Sequence, residues 1–182
     1  MSVIYDYFAA ESDERAASVL GLAGGPAGSA PEAEPGLLAA VRAGEMTAYQ
    51  EMRTPRVRWS EHGFQVLGGK GIDPGVELAT LEELLTGVSW ENVMDGPRSG
   101  ARIAAVGDYE PWVASVTDEL QQALAHREAD DFEQVAAAWV QTEEFQFDAG
   151  DAAPLARFLR ELAGLARDAL NRGDRLYCWI CL

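Results

Sequence analysis

Arg175-Leu176-Tyr177-Cys178-Trp179-Ile180-Cys181-Leu182 closes the chain, and its reading decides the fold. Branched and aromatic residues fill it, and strand alternation places Leu176, Cys178, Ile180 and Leu182 on one face and Tyr177, Trp179 and Cys181 on the other. Apolar residues on both faces predict a central, buried strand, because a half-exposed one would alternate apolar with polar. Cys178 and Cys181 also match the spacing of a redox pair or of half a zinc knuckle. Redox pairs sit at a helix N-terminus, whereas residues three apart on a strand project to opposite faces. With two cysteines and two histidines in the chain, the expectation is buried core thiols, no metal and no cofactor.

Working outward, a helix starting near Ala152 with Pro154 in its first turn aligns Leu155, Phe158, Leu159, Leu162, Leu165 and Leu170 and ends at Gly173. Two amphipathic helices precede it. Pro111 to about Arg127 places Trp112, Val113, Val116, Leu120 and Leu124 on one side, and Asp130 to about Thr142 does the same with Phe132, Val135, Ala136, Trp139 and Val140. Ile103 to Val106 reads as a brief strand. A helix ending at Gly87 begins either at Asp73-Pro74 or at Thr80, where Glu83 stands at capping-box spacing, and buries Leu81, Leu84 and Leu85. Arg56 to Trp59 and Phe64 to Leu67 read as a hairpin around Glu61, His62 and Gly63. A short helix is expected after Pro35, with Leu37, Leu38 and Val41 inward.

At the other end, Ser2 to Phe8 reads as a strand and is followed by a short helix capped by Ser12, carrying Ala16, Val19 and Leu20 and stopping at Gly21. Gly21 to Gly36 is so rich in Gly, Ala, Pro, Ser and Glu that a mobile surface loop is predicted. The expected class is α+β: one helix-rich domain over residues 1–182, with a small mixed sheet that includes the N- and C-terminal strands.

Thirty Asp and Glu against fourteen Lys and Arg give a formal net charge of -16. Such a chain repels phosphate backbones and anionic lipid surfaces, so neither nucleic acid nor membrane is an expected partner. No secretory signal or long apolar run is apparent, and the sparse cysteines suit a reducing cytoplasm. A single lysine, Lys70, amid abundant arginine and alanine points to a high-GC bacterial genome.

The acidity is uneven: between Asp108 and Asp151 twelve carboxylates stand against Arg127 alone. Two consecutive helices with apolar inner and acidic outer faces make a one-signed surface that steers a basic partner, with Asp118, Glu119, Asp130, Asp131 and Glu133 as candidate contacts. A solvated face serving solubility is the plainer reading of the same residues. The alternative site is anionic-ligand chemistry, in a binder or an enzyme, near the hairpin: Arg56 and Arg58 on one strand face, Lys70 within Gly68-Gly69-Lys70-Gly71, and His62 as the nearby proton shuttle. Internal ion pairing and ordinary turn chemistry are the plainer readings there. No nucleophile elbow, phosphate loop, dinucleotide fingerprint or calcium loop occurs, so no catalytic residue is assigned. The expected function is that of a non-enzymatic acidic binding protein, in its sharpest form an immunity-type protein against a basic enzyme.

Three stretches carry a resemblance to a family. Val3-Ile4-Tyr5-Asp6-Tyr7-Phe8 with Ser12-Asp13-Glu14, the helix end Leu84-Leu85-Thr86-Gly87, and the leucine-rich helix, Gly173 and terminal strand together resemble the YfbM-like family of small bacterial proteins. The resemblance covers about a third of the chain and implies an α+β fold, and it brings no activity to carry over to this chain. The tryptophan and histidine of that family's middle helix would fall at Leu78 and Glu82, where this chain departs from the pattern.

Overall fold

The computed structural model describes residues 3–22, 59–69, 71–107, 111–145 and 152–182. Its strands in chain order are β1 (Ile4–Ala10), β2 (Val66–Gly68), β3 (Arg102–Ala105), β4 (Trp112–Ser115) and β5 (Arg175–Cys181). They form one sheet in the order β2-β1-β5-β4-β3, which puts the C-terminal strand at the centre. The helices are α1 (Asp13–Ala17), α2 (Val76–Thr86), α3 (Trp90–Met94), α4 (Asp118–His126), α5 (Phe132–Trp139) and α6 (Ala152–Arg172). The class is α+β.

β5 is paired along its length on one side, from Ile4 opposite Cys181 to Ala10 opposite Arg175, and on the other from Trp112 opposite Ile180 to Ser115 opposite Tyr177. Leu176, Cys178 and Ile180 enter the larger core with Leu78, Leu81, Leu120, Leu124, Leu159 and Leu162, supplied by α2, α4 and α6. Tyr177 and Trp179 enter a smaller aromatic core on the opposite face with Phe8, Trp59 and Phe64. There the Phe8 ring meets Trp59 edge-on at 5.3 Å and stacks on Tyr177 at 5.8 Å, arrangements that suit the ring quadrupole. The two cysteines are free thiols on opposite faces, and burial pushes the Cys178 thiol well above its ordinary pKa, the reverse of a reactive thiolate.

Several expectations need correction. All the strand pairs are antiparallel, where a mixed sheet was expected; β3 and β4, for instance, are joined by residues 106–111, too short a link for the crossover a parallel pair requires. The stretch from Pro111 to Arg127 is not one helix. Trp112, Val113 and Ala114 form β4, and Thr117 then starts α4 by accepting the Leu120 N–H on its hydroxyl at 3.2 Å. Within α2, Leu78 and Leu81 are buried and Leu84 is 40% exposed; the helix starts after Asp73, whose carboxylate accepts the Gly75 and Val76 N–H groups at 2.7 and 3.0 Å. Thr80 lies inside it, and Gly87 ends it in a left-handed conformation. Leu170, expected on the buried stripe of α6, is exposed.

The hairpin is also different from its reading. Trp59–His62 is a 3-10 turn that drops the Trp59 ring into the aromatic core, and β2 pairs with β1. Arg56 and Arg58, the helix after Pro35 and all of the 21–36 loop beyond Leu22 lie outside the described residues.

Candidate functional site

The carboxylates expected to share one docking face are divided between the two ends of α4. Asp118 and Glu119 stand at its start, whereas Asp130, Asp131 and Glu133 surround the start of α5. Between them runs α4, nine residues and about 13 Å long.

At the first end the polar groups are tied into the fold. Asp118 lies 3.6 Å from the Arg98 guanidinium and 3.3 Å from that of Arg175, and Arg98 also holds Asp13 at 3.1 Å. Tyr177 donates its hydroxyl to the same Asp13 oxygen at 2.7 Å, and this bond, reinforced by Arg98, holds the Asp13 carboxyl below the ordinary range. Beneath them Glu82, 4% exposed, accepts a short hydrogen bond from the Thr117 hydroxyl. Burial pushes the Glu82 carboxyl up despite that bond, and the charge of Glu119 adds to the rise. Thr117 therefore serves twice, as the cap of α4 and as the donor to a buried acid.

At the second end the ties are looser. Asp131 approaches Arg127 at 3.8 Å, and Glu133 pairs with Arg160 at 3.0 Å across an exposed gap. Glu128 and Asp130 are exposed and have no ion pair or hydrogen-bonded side chain among the described residues. Glu119, at the first end, shares that condition. The arginines nearby are engaged elsewhere: Arg167 donates to the Ala125 and Arg127 carbonyls at the end of α4, and Arg127 also donates to the Leu85 carbonyl. Each places a cation at a helix C-terminus, where the dipole favours it.

Of the alternative site, only His62 and the glycines beside Lys70 can be located. His62 is exposed on the 3-10 turn, and its carbonyl accepts from Arg15 at 2.8 Å. The Gly69 N–H donates to the Tyr5 carbonyl at 2.6 Å, and a Cβ at Gly69 would fall 2.6 Å from the Tyr7 ring, so close packing against β1 demands this glycine. Arg56, Arg58 and Lys70 lie outside the described residues. Among the described residues no group of three or more His, Cys, Asp or Glu is placed to hold a metal ion, and no helix is long and apolar enough to cross a membrane.

One feature has no counterpart in the sequence reading. A groove of about 350 Å³ runs between β2 and α6, with Gln65, Val66 and Leu67 on one side and Glu161, Gly164, Leu165 and Asp168 on the other. The local signal for its helical wall is Glu161-x-x-Gly164-Leu165-x-x-Asp168, a single stripe at helical spacing. Comparison with known proteins adds nothing to this geometry: no family model, curated protein or solved structure matches the chain.

Proposed function

We propose that the chain is a non-enzymatic acidic interaction protein that meets a basic protein partner through the carboxylates exposed around α4 and α5, in an immunity-type role if that partner is an enzyme. One observation carries the reading. The arginines of this region are held by carboxylates and helix-end carbonyls within the fold, while Glu119, Glu128 and Asp130 face solvent without a counterion among the described residues. Within a net charge of -16, that leaves an outward negative field of the kind that accelerates encounter with a positive surface. Asp118 drops out of the contact set because Arg98 and Arg175 hold it, and the docking face shifts toward the start of α5.

The test is affinity purification from native lysate at low and at high salt. A protein with a basic face, retained at low salt and lost at high salt, is the expected result. Recovery of only acidic or salt-insensitive partners would overturn the reading.

A further inference from the structure

The groove between β2 and α6 has at its middle a glycine that packing does not explain. Gly164 lies inside a 21-residue helix, where glycine costs about 1 kcal/mol relative to alanine. Packing does not require it, since a Cβ there would find no atom within 4 Å. The missing side chain instead keeps the middle of the groove open. Glu161 and Asp168 flank that opening on the same stripe of α6, seven residues and roughly 10 Å apart along the axis. Both are exposed, and neither has an ion pair or hydrogen-bonded partner among the described residues. Between them lie Leu165, buried, and Val66 and Leu67, half-buried, with the exposed Gln65 as the one further polar side chain of the lining.

These two acids do not belong to any group of three or more metal-ligating side chains among the described residues, so a metal ion, whose ligands converge to about 2.5 Å, is not the fitting ligand. They fit two positive charges joined by an apolar spacer of matching length. The volume lies within the range of small-molecule pockets, about 300–1,000 Å³. We propose that this groove binds a linear aliphatic diamine, with its ammonium groups at Glu161 and Asp168 and the methylene chain lying over Gly164 and Leu165. The site is distinct from the α4–α5 docking face and stands or falls separately from it.

The experiment is calorimetric titration of the full chain with 1,8-diaminooctane, whose two ammonium groups, joined by methylenes alone, span about the 10 Å rise between the two helix positions. A saturable single site is expected, with affinity reduced at least tenfold by Glu161→Gln combined with Asp168→Asn, which changes only exposed groups. Gly164→Leu should produce a comparable loss by filling the groove with both charges kept, its folding checked by circular dichroism. The shorter 1,4-diaminobutane, of equal charge, should bind at least tenfold more weakly than 1,8-diaminooctane, and Glu128→Gln with Asp130→Asn should leave binding of the longer diamine unchanged. Absence of saturable binding, or a loss that follows net charge equally at both pairs of acids, overturns the proposal. So does wild-type affinity in a folded Gly164→Leu variant.

Discussion

The starts of α4 and α5 look alike in sequence and behave differently in the fold. Both carry acids at the helix N-terminus, where the dipole stabilises negative charge. At α4, Asp118 lies within ion-pair distance of both Arg98 and Arg175, Thr117 caps the helix, and Glu82 is buried below. At α5, Asp131 and Glu133 have single partners, and Glu128 and Asp130 have none among the described residues. The difference lies in which arginines come within reach. An acidic helix start becomes structural when distant elements bring cations to it, and is available to a partner when they do not.

The largest effect should come from breaking the structural end. Arg98→Leu removes a side chain only 15% exposed that bridges Asp13 and Asp118. A loss of about 2–3 kcal/mol is expected by urea denaturation, below the buried-pair range because both carboxylates are partly solvated. Arg160→Leu at the α5 end should cost no more than about 0.5 kcal/mol, since its pair with Glu133 is largely exposed. A similar cost at both sites would erase the distinction. Thr117→Ala should cost about 1–2 kcal/mol, combining a lost helix cap with a lost donor to Glu82.

The pH dependence separates two groups within the same structural end. The Glu82 carboxyl is raised by folding, so the native state holds its proton more firmly than the unfolded chain does, and stability falls as pH rises from the unfolded value, about 4.3, through the folded one. Asp13 is lowered, so its stabilisation is present above its unfolded value, about 3.9, and is lost as pH falls toward the folded one. Glu82→Gln should abolish the first slope and Asp13→Asn the second, as read from denaturation midpoints between pH 3 and 8. The smallest effect on stability is expected at the exposed end: Glu128→Gln with Asp130→Asn should shift it by no more than about 0.5 kcal/mol.

β5 was legible because apolar residues on both faces of an eight-residue stretch admit one reading, a central strand. The segment from Pro111 to Arg127 misled because Trp112, Val113, Val116, Leu120 and Leu124 fall on one helical stripe even though a strand and a helix share them. The capping signal Thr117-Asp118-Glu119 inside the stripe marked the break. For the candidate site, the excess of acids was visible in sequence, but its division was not, because Arg98 and Arg175 reach Asp118 from separate parts of the chain. The groove was half visible: its helical stripe can be read locally, whereas the strand facing it becomes a neighbour only through the pairing of β2 with β1.

The central claim, that the exposed acids around α4 and α5 steer a basic partner, is tested most directly by the association rate with the captured partner measured against ionic strength. The wild-type rate should fall steeply with salt, and a Glu119→Gln, Glu128→Gln, Asp130→Asn variant of unchanged stability should associate about tenfold more slowly at low salt, converging with wild type at high salt. Equal rates for the two proteins at low salt would contradict the account.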